Sequence, residues 1–169
     1  MKHYLFLCVI FIVGCGSDET KRDRFFSRAN NALNEREYRT AIELYGEAII
    51  MDSDFALAYN NRGVAKLESG RIHEAIQDYN QAILINPNYW ESVHNRAMAY
   101  EAIGKHEKSI ENYVILINNH KDSSLYRQAQ GLLYTSLKQY DEARFALQKA
   151  IELEPGNAHT QINIATVDF

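Results

Sequence analysis

Laid out with a period of 34 residues, most of this chain falls into register with itself. When units start at Arg22, Ala56, Trp90 and Ser124, the small residues Ala29, Gly63, Ala97 and Gly131 share one column, and Ala41, Ala75, Ser109 and Ala143 another. Ala48, Ala82, Leu116 and Ala150 form a third, and between these two columns stand Tyr45, Tyr79, Tyr113 and Leu147. Four consecutive copies without an insertion constrain the fold more than any local signal. A unit this short leaves an apolar face uncovered when alone, so its neighbours must stack on it. Ala, Ile, Leu, Glu and Gln recur at helical spacing within each copy, and the whole chain holds only two prolines. The pattern predicts an all-α chain of helix pairs.

The columns have physical reasons. Gly63, Ala75 and Ala82 let neighbouring helices approach closely, while Ile76, Tyr79 and Ile83 fill the remaining space. Gly70 and Gly104 stand where the first helix of a unit must turn, a conformation glycine tolerates best. Pro87 and Pro155 close the second and fourth units, because proline cannot continue a helix without losing a hydrogen bond. The second copy, "ALAYNNRGVAKLESGRIHEAIQDYNQAILINPNY", resembles the tetratricopeptide repeat, two antiparallel helices joined by a tight turn. The resemblance covers residues 22–157 and implies a right-handed α-solenoid of four units, 22–55, 56–89, 90–123 and 124–157. Residues 158–169, with Ile162, Ile164, Ala165 and Val167, start a fifth copy and are expected to form a partial capping helix. Its short apolar character makes self-association through this C-terminal helix an expectation. In the third unit the pattern breaks at Ser109, Leu116 and Lys121, and the stretch "INNHKDSS" is rich in loop formers, so a bend or a separate contact is expected there.

The first residues follow another logic. Lys2 precedes an unbroken run of ten apolar residues, Tyr4 to Val13. That run is too short to span a bilayer, which takes roughly 20 helical residues, and it suits the apolar part of a secretory signal. The ending "IVGC" resembles the lipobox of bacterial lipoproteins. The resemblance implies a signal peptide over residues 1–14, acylation (palmitate) at Cys15, and a bilayer anchor through that lipid. Gly16 follows, where an Asp would favour inner-membrane retention in enterobacteria, so the implied destination is the outer membrane, facing the periplasm or the cell surface. Cys8 leaves with the signal, which removes any disulfide framework. Residues 15–21 are read as a short polar tether that keeps the folded part close to the lipid.

The first helices of tetratricopeptide arrays line a concave groove. The resemblance places there Phe26, Asn60, His94 and Gln128, then Ser27, Asn61, Asn95 and Ala129, then Asn30, Val64, Met98 and Leu132. The expected surface is an apolar strip edged by amides, suited to an extended peptide or a partner helix. The alternative is that these Asn are solvated helix-surface residues. Relatives that hold a C-terminal carboxylate use two Asn, two Lys and an Arg. Asn30 and Asn61 match the amides here, but Phe26, Glu91 and Asn95 occupy the cationic positions, so that clamp is absent. With Glu68, Glu91 and Glu101 close by, a neutral or mildly basic segment fits better than an acidic tail.

Arg28, Arg62 and Arg96 form a further column, replaced by Gln130 in the last unit. The column reads either as an anion site or, in preference, as Arg62 or Arg96 pairing with Asp78 between packed helices. A net charge of −4 without a basic block argues against nucleic acid. No HExxH, CxxC, GxSxG or phosphate-binding glycine loop is present, and the six His stand at no metal-ligand spacing, so neither cofactor nor metal is expected. His106 shares a column with Tyr38 and Tyr140 and reads as a packing substitute. An enzyme would need Glu101 and His94 to cooperate within the groove. The expected function is a membrane-anchored scaffold for protein partners in the bacterial cell envelope. Resemblance to repeat lipoproteins implies roles such as outer-membrane assembly, pilus assembly or recruitment of peptidoglycan-cleaving enzymes. The alternative is a non-lipidated regulatory adaptor in the cytosol or at the inner membrane.

Overall fold

The computed structural model describes residues 15–167, which form nine helices and no strand. They are α1 (Cys15–Asn34), α2 (Tyr38–Met51), α3 (Ala56–Glu68), α4 (Ile72–Ile85), α5 (Trp90–Ala102), α6 (His106–Asn119), α7 (Ser124–Ser136), α8 (Tyr140–Leu153) and α9 (Ala158–Val167). Each helix packs on the next in sequence, and α1 with α3, α3 with α5 and α7 with α9 touch across the stack. This is a helical solenoid of four hairpins with α9 laid on the last. The apolar leader, residues 1–14, lies outside the described residues.

All four hairpin turns close in the same way. In the second, Arg71 N–H reaches back to Lys66 C=O at 2.8 Å and Gly70 N–H to Leu67 C=O at 2.9 Å, the paired bonds of a left-handed helix end. Gly70 and Gly104 hold the positive φ, 81° and 68°, as their positions predict. In the first and fourth units the same place is taken by Arg36 (φ 61°) and Lys138 (φ 59°), non-glycine residues that bear about 1–2 kcal/mol of left-handed strain each.

Close approach within hairpins rests on the small-residue column. A Cβ built on Gly63 would stand 2.6 Å from Tyr79 Cε1, and one on Gly131 2.6 Å from Leu147 Cγ. Tyr45, Tyr79 and Leu147 are fully buried, and Tyr113 nearly so, which gives each hairpin one large central side chain. The third unit keeps its regularity. Helix α6 has the same 14 residues as α2, α4 and α8. Its column-breaking Ser109 is buried, with its hydroxyl donating to Ala97 C=O at 2.9 Å.

Residues 15–21, read as a short polar tether, run on as the opening turns of α1, continuous to Asn34. Nothing between Ser17 and Asn34 is a proline or glycine, so the helix has no cause to stop. Helix α9 takes the capping role: Thr160 and Val167 are buried, and Val167 joins Ala143 and Leu147 in the last apolar cluster.

Candidate partner-binding groove

The amides expected to edge the groove are tied into one row. Asn95 Nδ2 donates to Asn60 Oδ1 at 3.0 Å, and Ser92 Oγ donates to the same oxygen at 2.9 Å. Asn60 Nδ2 donates to Asn61 Oδ1 at 3.1 Å, and Asn61 Nδ2 to Asn30 Oδ1 at 3.1 Å. Tyr45 completes the row by donating its hydroxyl to Asn30 Oδ1 at 2.6 Å. Burial pushes that phenol up to about 12, against the opposing pull of the hydrogen bond from Asn61. The row spans α1, α3 and α5, and its two ends, Asn30 Nδ2 and Asn95 Oδ1, have no partner among the described residues.

This geometry divides the expected groove residues. Asn60 is fully buried and consumed by three hydrogen bonds, so it is a strut between units rather than a contact for a partner. A side chain three residues from a core glycine and facing the next unit is enclosed once the stack forms. Asn30, Asn61 and Asn95 are half-buried with open edges. Met98 and Leu132 are the exposed apolar members, 45% and 43% accessible. Val64 is half-buried against the cluster of Ala75, Ile76, Tyr79 and Ala99. His94 packs between Tyr113 and Tyr126, ring centroids at 6.0 and 5.5 Å, and its burial lowers its pKa although Glu91 opposes the shift. Gln128 is half-buried on α7.

Two features escaped the sequence reading. Leu57 and Leu125 are exposed one turn before Asn60 and Gln128, on the same side of their helices. Their common 34-residue phase was the signal. An aromatic cluster also joins Trp90, His120 and Tyr126 to His94, with Trp90 and His120 edge-on at 5.7 Å and His120 6.1 Å from Tyr126. Here "INNHKDSS" makes its own contact, through the His120 ring.

The Arg column is structural where it is paired. Arg62 grips Asp78 through two bonds of 2.8 and 2.7 Å, and Lys66 Nζ reaches the same carboxylate at 2.7 Å. Arg96 donates to Asn112 and Asn80 instead, at 2.9 and 2.7 Å. Arg28 is exposed, with Leu44 in the Asp78 column. Glu101 is exposed and shares no hydrogen bond with His94 among the described residues. Among the described residues no three His, Cys, Asp or Glu side chains converge, and no helix is long and apolar enough to cross a membrane.

Tetratricopeptide repeat family models match residues 56–89, 78–111 and 125–157, together more than half of the chain. The chain is a tetratricopeptide repeat protein. The middle match begins inside α4 and ends inside α6, which a continuous stack of alternating helices allows. Among solved structures, MamA from Desulfovibrio magneticus RS-1 superposes with a TM-score of 0.81 at 14% identity, over 88% of this chain and 84% of that one. A tetratricopeptide repeat protein from Parabacteroides merdae gives 0.83 at 19% identity, over 88% of this chain and 59% of its own. YrrB, described as a TPR protein with an unusual peptide-binding site, gives 0.76 at 18%, over 90% and 79%. These likenesses establish a shared fold. No curated protein matches the chain.

Proposed function

We propose that this protein is an acylated scaffold of the bacterial cell envelope that binds an extended, neutral or mildly basic segment of a partner protein. The observation that carries the binding reading is the exposed pair Met98 and Leu132 beside an amide row with open ends. Apolar side chains of a partner fit the pair, while its backbone meets Asn30, Asn61 and Asn95. YrrB, with a similar fold, is described by its peptide-binding site.

Anchoring rests on the sequence: the apolar run to Val13, then Gly14, Cys15 and Gly16. Cys15 would carry the acyl groups, and Gly16 favours the outer membrane. Feeding cells a labelled fatty acid tests this reading, which requires label on the native chain and none on Cys15→Ser. An unlabelled native chain would instead support the cytosolic adaptor.

For the groove, the test is a comparison of partners cross-linked in the native envelope to wild type and to Met98→Glu with Leu132→Glu. Both residues are exposed and outside the amide row, so the fold survives. The reading requires one partner to be lost while helical signal and melting midpoint hold; an unchanged partner set refutes it.

A further inference from the structure

The Arg column also marks a second site, on another side of the array. In the second unit Arg62 fills the space between α3 and α4, held by Asp78 and with the Tyr59 ring 5.3 Å from its Cζ. In the third, Arg96 fills the corresponding space against Asn112 and Asn80. In the fourth both halves are cut short, since Gln130 stands in the Arg column and Ala146 in the Asp78 column. An open cleft of about 470 Å³ results between α7 and α8, walled also by Arg127, Tyr134, Asp141, Glu142 and Phe145. Gln130 is only 7% exposed, yet has no hydrogen-bond partner among the described residues. Its amide atoms are not sealed from solvent: they line the cleft and are open to a partner there. The cleft is separate from the groove. Gln130 is two residues from both Gln128 and Leu132, about 200° around α7.

We propose that this cleft binds an arginine side chain of a partner protein, the guanidinium that the second and third units supply for themselves. A guanidinium is a planar fork of donors without an acceptor. The cleft offers it the Gln130 carbonyl oxygen and the Glu142 carboxylate, which has no partner among the described residues. Asp141 is already held by Arg144 at 3.2 Å, so Glu142 is the group that distinguishes a cation from a neutral isostere. Tyr134 and Phe145, the latter 62% exposed, supply flat faces of the kind Tyr59 gives Arg62. Arg127 carries a like charge; as a donor it takes the main-chain carbonyl oxygens of the bound residue, which favours a peptide over a free diamine. The first unit has a smaller cleft of about 230 Å³ at the same place, but its own Arg28 lines it.

The test is a titration of the full chain with N-acetyl-L-arginine amide, followed by the NMR shift of the Gln130 side-chain amide, against the neutral isostere N-acetyl-L-citrulline amide. The expected result is saturable millimolar binding of the arginine compound, about tenfold tighter than citrulline, the worth of one charge-assisted bond. Glu142→Gln should erase that difference. Rebuilding the internal pair with Gln130→Arg and Ala146→Asp should fill the cleft and abolish binding while holding or raising the melting temperature. Equal binding of citrulline, no saturable shift, or full binding by the folded double variant would each overturn the proposal. Glu142 is exposed, so Glu142→Gln remains decisive even if the double variant unfolds.

Discussion

Replacing Asn60 by Ala separates a strut from a ligand contact. The side chain is fully buried and takes part in three hydrogen bonds. The bonds to half-buried Asn61 and Asn95 are worth about 1 kcal/mol each, since water can partly replace Asn60 there. Ser92 is fully buried, so its hydroxyl loses its acceptor with no access to water, at about 1–3 kcal/mol. Better helix propensity of Ala returns about 0.7 kcal/mol at most. The net expectation is a loss of about 3 kcal/mol, which at about 2–4 °C per kcal/mol for a chain of this size lowers the melting midpoint by about 6–12 °C. Circular dichroism melts of the soluble chain measure it, with Asn95→Ala as the comparison at about 1 kcal/mol. A midpoint for Asn60→Ala equal to that of Asn95→Ala would refute the burial argument and return Asn60 to the groove surface.

Three further expectations follow from single contacts. Asp78→Ala strands the Arg62 and Lys66 charges that meet on one buried carboxylate, so a loss of about 3–5 kcal/mol in urea denaturation is expected, and a loss below about 1 would show the pair to be idle. Burial holds the His94 pKa below its ordinary value, so the unfolded chain takes up the proton first as pH falls. Stability from this group is therefore whole above the ordinary imidazole range of about 6.5 and is lost as pH drops through it and on through the folded value; melts at successive pH values should show the loss in wild type and a flatter profile in His94→Gln. Gly63→Ala sets overpacking against the Tyr79 ring, about 1–3 kcal/mol, against a propensity gain of about 1, so a net loss of about 1 kcal/mol is expected and a higher melting point would contradict it.

What the sequence disclosed depended on whether a residue's role repeats every 34 positions. Gly63 was legible as a packing residue because Ala29, Ala97 and Gly131 share its column, and Gly70 as a turn because a first helix must end there. Arg36 and Lys138 were not, because nothing in their side chains announces a positive φ; only the turn they share with Gly70 imposes it. Arg62 pairing with Asp78 was readable from the column, and Arg96 with Asn112 repeats that spacing one unit on, whereas Arg96 also reaching Asn80 depends on α4 of the preceding unit. At Asn60 the column gave a side of α3 but not the depth. Depth was set by Ser92 and Asn95 arriving from the next unit, 32 and 35 residues away. The 34-residue pattern therefore locates a groove more readily than it tells which of its amides are free.

The amide row has a direction. Asn95, Asn60 and Asn61 each donate to the next residue toward Asn30. Turning over any one of them would set two donors or two oxygens face to face, so the row reverses as a whole or stays as it is. Local side-chain choices are thereby made collective across three hairpins, and a molecule that captures the open oxygen of Asn95 at one end also fixes which group Asn30 presents at the other. Such a row behaves as a single two-position element, and it gives the surface above it a sense of forward and backward that a set of independent asparagines would lack.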